Sequence, residues 1–187
     1  MRRRRLALVY GTALGVLAVD QLTKSLVVDR LAGRGPVEVL GSVVRLRYTT
    51  NTGGAFSLFP DFPLFFAFMA VAVAVAIALY ARRVATTGVL LTLGLILGGA
   101  LGNFTDRLLR GGTLLHGEVV DFIQVRPWPV FNVADSCITV GAVLLALVMG
   151  RVERPGRRSR GAGEPEPEAA AAAREHDDPG TPPAPAR

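Results

Sequence analysis

The sequence has 187 residues, enough for one domain and too few for two large ones, and half of it is hydrophobic. Its net charge of +6 does not have the placement of a nucleic-acid footprint: residues 1–150 hold 14 Lys/Arg against 8 Asp/Glu, while residues 151–187 hold 7 of each. The surplus belongs to the apolar part, and a lone cysteine, Cys137, excludes an internal disulfide framework and any multi-cysteine metal site.

Arg2 to Arg5 open the chain and lead into an apolar run at 6–28. That order fits the first two regions of a secretory leader, but a run of about 23 residues containing Asp20 and Lys24 predicts an uncleaved signal anchor. Further runs at 62–81, 84–105 and 130–149 approach the roughly 20 residues a helix needs to cross a ~30 Å hydrocarbon core. Arginines cluster before the first run, at Arg82 and Arg83, and from Arg151 to Arg160. By the positive-inside rule both termini are cytoplasmic, and segments 29–61 and 106–129 face outward. Those outer segments also carry Arg30, Arg34, Arg45, Arg47, Arg107, Arg110 and Arg126, which count against that orientation.

Between the first two runs, Val44, Leu46 and Tyr48 alternate with Arg45 and Arg47, the period of a half-buried strand, and Asn51-Thr52-Gly53-Gly54 supplies a turn. In the third run Gly94, Gly98 and Gly102 recur every fourth residue, which lets a second helix backbone approach. Beyond Met149 no apolar periodicity survives; a transient helical turn at Ala169–Ala173 is the most that 151–187 suggests. The expected architecture is a membrane all-α four-helix bundle over 1–150, with a small extracytoplasmic β element and a disordered, cytoplasmic C-terminal tail over 151–187.

Three of the eight acids in 1–150, Asp20, Asp106 and Asp135, lie within or at the end of an apolar run, where a charge is costly and needs a named partner. Asp20 lies four residues before Lys24, so an intrahelical ion pair accounts for it. A surface pair with Arg107 accounts for Asp106, an N-cap for Asn132, and a favourable helix dipole for Asp135. Yet Asn103 and Asp106, and Asn132 and Asp135, are each three apart and share a helical face. Antiparallel third and fourth spans bring both pairs to one membrane face. Asp121, embedded in Val119-Val120-Asp121-Phe122-Ile123, lies 14 residues before Asp135 on a segment able to fold back; Trp128 between Pro127 and Pro129 suits an interfacial turn there, and Glu118 in a polar stretch reads as solvated.

Two adjacent carboxylates share a proton, and that state suits amide hydrolysis: one takes a proton from water while the other polarises the carbonyl. Histidine-based nucleophilic catalysis is poorly served, because His116 and His176 are the only histidines. Metal ligation by Asp106, Asp121, Asp135 and His116 is a second reading. The rival from another class is a small proton-coupled transporter or channel using the acids as a relay, though that would spread acids through the depth of the bundle, and a mere membrane anchor for the tail leaves the buried acids unexplained. At this level Asp106 and Asp121 compete as the partner of Asp135.

Five ordered segments resemble the lipoprotein signal peptidase (signal peptidase II) family: Asp20-Gln21-Leu22-Thr23-Lys24, Asn51-Thr52-Gly53-Gly54-Ala55-Phe56-Ser57, Gly98 to Arg107, Val119-Val120-Asp121-Phe122, and Phe131 to Ser136. The resemblance spans nearly all of 14–149; Gly54, where the family commonly has alanine, is a mild departure. It implies a multi-pass aspartic peptidase of the bacterial inner membrane, without cofactor or metal, working near the extracytoplasmic face. Its partners would be membrane lipid and prolipoproteins, cut just before a diacylglyceryl cysteine, with no nucleic acid. It implies Asp121 and Asp135 as the dyad and a substrate-facing turn at Asn51 and Gly53. It further implies a polar shell of Asn103, Asp106, Arg107 and Asn132, with Asp20 and Lys24 in support.

Overall fold

The computed structural model describes residues 2–53, 63–111 and 117–152. Helix α1 (Arg2–Leu31) is followed by strands β1 (Val37–Leu40) and β2 (Val44–Asn51), helices α2 (Pro63–Tyr80) and α3 (Thr87–Leu109), strand β3 (Val119–Val125) and helix α4 (Val133–Val152). Of the tail expected at 151–187, Arg151 and Val152 continue α4, and the rest, together with Gly54 to Ser57 and His116, lies outside the described residues.

All four apolar runs form helices, but only Arg3–Leu31 and Thr87–Leu109 are long and apolar enough to cross a membrane by length and composition. The corresponding apolar stretches in α2 and α4, Phe68–Tyr80 and Val133–Met149, are shorter. The chain is also not purely helical between them. Its strands form one antiparallel sheet in the order β1-β2-β3, with Leu46 opposite Ile123 and Thr49 opposite Asp121. The alternating segment is therefore the central strand, and the apolar stretch around Asp121 is an edge strand beside it.

Helix α3 is the surface on which the rest is assembled. A methyl group added at Gly94 would fall 2.6 Å from Thr12 Cβ, and one at Gly98 2.7 Å from the Ala13 carbonyl oxygen, so α1 lies directly on the glycine stripe. Gly99, on another face, admits α4 equally closely, 2.5 Å from the Ala134 carbonyl oxygen. Val9, Ala13, Ile77, Leu90, Leu93 and Leu97 fill the core between α1, α2 and α3. Large apolar side chains such as Leu14, Leu22 and Phe68 remain exposed, as expected where the surrounding solvent is hydrocarbon.

A second small core, Val27 with Val120 and Phe122, holds the sheet against the end of α1. From β3 the chain turns through Trp128, whose N–H donates to the Val125 carbonyl at 2.7 Å, and Phe131 pairs back on Ile123. That return uses residues 130–131, so α4 begins at Val133, not at 130 as the apolar run suggested. It also sets Asn132 beside β3.

Candidate active site

The acids converge, and the intrahelical pair of Asp20 with Lys24 that the spacing suggested is formed. Asp20, Lys24 and Asp106 are completely buried, and Lys24 Nζ donates to Asp20 Oδ2 at 2.8 Å, Asp106 Oδ2 at 2.9 Å and Asn103 Oδ1 at 2.9 Å. All three ammonium protons are thereby used, the condition under which a buried charge is tolerable. The surface pair of Asp106 with Arg107 is not formed. Successive helix residues point about 100° apart, whereas residues four apart share a face, and Asp106 Oδ1 instead accepts Arg110 Nε at 2.9 Å. The other Asp106 oxygen also accepts the Val120 N–H at 3.1 Å, which fixes β3 one residue from Asp121.

Asp20 has a second task. Its Oδ1 accepts the Ala134 N–H at 2.9 Å, satisfying from α1 one of the free amides at the start of α4. The next turn is closed by Asn132 and Asp135 reciprocally: Asn132 Oδ1 accepts the Asp135 N–H at 2.9 Å, and Asp135 Oδ2 accepts the Asn132 N–H at 3.2 Å. The N-cap reading of Asn132 is thus correct, and the same side chain also donates Nδ2 to Asp121 Oδ1 at 2.7 Å.

Asp121 takes a second amide proton, from Asn51 Nδ2 at 3.2 Å, and Asp135 Oδ1 takes one from Asn103 Nδ2 at 2.8 Å. Gly53 closes the turn after β2 by donating its N–H to Asn51 Oδ1 at 2.9 Å, and its carbonyl accepts Arg107 Nη2 at 2.7 Å. Burial, reinforced by the nearby Asp135 charge, pushes the Asp121 carboxyl up from its ordinary value to about 6; the amides of Asn132 and Asn51 and the Lys24 charge oppose the rise.

Asp121 and Asp135 line one cavity of about 650 Å³, together with Asn51, Asn103, Arg107 and Trp128. Its remaining wall is mainly apolar, from Met69, Val73, Ala100, Phe104, Ile138 and Val140. The volume lies in the range of sites that enclose a ligand. Asp20, Lys24 and Asp106 do not border it; Asp106 is paired with Lys24 and Arg110, whereas Asp121 lines the cavity with Asp135. Among the described residues no group of three or more His, Cys, Asp or Glu side chains could hold a metal ion. Glu118, read as solvated, is half-buried.

Sequence reasoning passed over Gln21, whose Nε2 reaches Asp106 Oδ1 at 2.9 Å and the Gly102 carbonyl at 3.1 Å. Its position within the Asp20–Lys24 turn was the available signal. Gly117 was also missed. Any side chain there would begin 2.5 Å from the Asp106 carbonyl oxygen, where the chain returns from α3 to β3.

Residues 12–151 match the family model described as signal peptidase (SPase) II. The chain belongs to the signal peptidase II family. Membership makes it a peptidase embedded in the membrane, consistent with its apolar helices. Proteins named lipoprotein signal peptidase from Streptomyces coelicolor and Rhodococcus jostii are 40% and 43% identical to it over 149 and 146 residues, covering 80% and 78% of this chain and 73% of each relative. One from Mycobacterium avium is 41% identical over 145 residues, 78% of this chain and 80% of that protein. A bacterial membrane enzyme solved by the in meso method at 2.3 Å resolution superimposes with a TM-score of 0.68 at 26% identity, covering 83% of this chain and 92% of that one. A second, at 1.9 Å resolution, gives 0.63 at 28% identity, covering 74% of this chain and 89% of that one.

Proposed function

We propose that this signal peptidase II removes signal peptides from prolipoproteins, cutting just before a diacylglyceryl-modified cysteine, with Asp121 and Asp135 as the catalytic dyad. The observation that carries the reading is that these two acids, and neither Asp20 nor Asp106, border the cavity. Its apolar wall suits the hydrophobic segment of a signal peptide and an acyl chain.

The chemistry follows from one proton held between two carboxylates. A water between them gives a proton to the ionised aspartate and attacks the scissile carbonyl, while the protonated aspartate donates a hydrogen bond to that carbonyl oxygen. As the tetrahedral species collapses, the C–N bond breaks and the leaving nitrogen takes up a proton from the dyad. Asn51, Asn103 and Asn132 present N–H donors to the two acids and hold them in place. Arg107 holds the Asn51–Gly53 turn at the cavity rim through the Gly53 carbonyl.

On this reading the catalytic unit is residues 1–150, crossing the bacterial inner membrane four times with both termini cytoplasmic, and 151–187 is a cytoplasmic tail. The arginine clusters at the start of α1 and between α2 and α3 support that orientation, because the acids gather at the opposite ends of α1 and α3. The test is incubation of purified protein with lipidated and unlipidated precursor, with and without a chelator. Cleavage of the lipidated precursor alone, unaffected by chelation, is expected. Equal cleavage of both precursors contradicts the substrate assignment, and loss on chelation contradicts the mechanism.

A further inference from the structure

Each of the three asparagines that meet the dyad has its amide oxygen already held by a donor. Asn51 Oδ1 accepts the Gly53 N–H and Asn132 Oδ1 the Asp135 N–H, both at 2.9 Å. Asn103 Oδ1 accepts Lys24 Nζ at 2.9 Å, with a longer contribution from Asn132 Nδ2 at 3.1 Å. An amide whose oxygen is engaged in this way turns its NH2 group to the other side, and all three NH2 groups point at an acid. In two cases the main orienting donor is backbone. For Asn103 it is a side chain on another helix, and that side chain is itself fixed by Asp20 and Asp106.

We propose that Lys24 is a positioning residue for peptide cleavage: by holding the Asn103 oxygen it decides which end of that amide faces Asp135. With the amide reversed, oxygen would stand against carboxylate oxygen at a spacing of 2.8 Å, a repulsion that ionised Asp135 cannot relieve. The buried ion cluster thus does more than join α1 to α3. It sets the polarity of a hydrogen bond at the reacting acid. The inference rests on the dyad reading.

Lys24 also carries charge, and its surroundings include Asp20 on α1, Asp106 on α3, Asp121 on β3 and Asp135 on α4. The experiment therefore separates the donor from the charge. In an Asp106→Asn background, which removes one negative charge to match the lost cation, Lys24→Met abolishes the donor and Lys24→Gln retains one. The Met variant is expected to lose kcat on the order of 10²-fold with little change in KM, and the Gln variant to recover most of it. In an Asn103→Leu background Lys24→Met should cost no further kcat, because the group through which it acts is gone. Equal kcat for the Met and Gln variants, or an undiminished Lys24→Met effect with Leu at 103, overturns the inference.

Should the Lys24 variants not accumulate, Asn103→Asp in the native background still decides. It keeps an ion-pair partner for Lys24 but offers Asp135 no donor, so it should match Asn103→Leu in kcat; wild-type kcat overturns the inference. Cleavage by Asp135→Asn would instead remove the dyad reading itself.

Discussion

Asn132 donates its side-chain amide to Asp121 at 2.7 Å, and in the same pose it caps α4 through the backbone N–H of Asp135 at 2.9 Å. One residue thereby registers the sheet acid against the helix acid. The two roles separate on substitution. Asn132→Ala should cost about 1 kcal/mol of stability, the usual worth of a cap, and lower kcat on the order of 10²-fold. Asn132→Ser keeps a capping oxygen but lacks the reach to Asp121, so it should restore the thermal midpoint in detergent and not kcat. Recovery of both would show that the cap alone matters.

Lys24 and Arg110 both pair with Asp106, but from different environments. Lys24→Met leaves buried Asp20 without its cation and Asp106 with Arg110 alone, and should destabilise the fold by about 3–5 kcal/mol. Arg110 is a quarter exposed, and Arg110→Ala should cost no more than about 1 kcal/mol. Denaturation midpoints of the two variants, measured side by side, check the ranking; equal losses would mean that the cluster is far wetter than its burial indicates.

The glycine stripe makes a sharper contrast. A methyl group at Gly98 would stand 2.6 Å from Val16 Cβ, and one at Gly102 2.5 Å from Asp20 Oδ2, while one at Gly15 meets nothing within 4 Å. Gly98→Ala and Gly102→Ala should each destabilise by about 1–3 kcal/mol through overpacking, whereas Gly15→Ala is neutral or slightly stabilising. Thermal unfolding of the three proteins tests the closeness of α1 to α3.

Burial and the Asp135 charge raise Asp121 to about 6, so its proton leaves only as pH climbs through that value. Below it Asp121 retains the proton that catalysis needs; above it Asp121 gives that proton up. The kcat/KM of the free enzyme should accordingly fall as pH rises through about 6. The kcat profile should fall later, because a bound substrate excludes water and raises the group further. Stability follows the same sign: the share tied to Asp121 is full below the ordinary carboxylate value and is lost as pH rises through about 6. A kcat/KM flat from about pH 5 to about pH 8 would contradict this assignment.

Much of the site was legible because polar residues in apolar runs are costly and therefore conspicuous. Asp20, Asp106, Asp121, Asp135 and both Asn103 and Asn132 stood out on that ground, and the glycine spacing announced the helix contact. Partners were harder to read. Asp106 had Arg107 next to it in sequence, but helix geometry turned it toward Arg110 and, across the interface, toward Lys24. The sheet was half visible: β2 alternates from Val44 to Tyr48, the first five of its eight residues, whereas β1 has four residues with both faces exposed. The pairing of β2 with β3 joins residues about 70 apart, as in the Asn51–Asp121 bond, and no local pattern encodes such a contact. Gln21 had only its place within the Asp20–Lys24 turn to mark it, because its partners, Asp106 and the Gly102 carbonyl, come from the opposing helix.

The most direct test of the dyad is cleavage of a lipidated precursor by Asp121→Asn and Asp135→Asn, assayed at equal amounts of folded protein in the same detergent. Each substitution should lower kcat at least about 10³-fold while the protein still inserts and accumulates, because one carboxylate of the pair is gone and the ionised base and its protonated partner can no longer act together. Cleavage at the wild-type rate by either variant would show that the two acids do not carry the reaction.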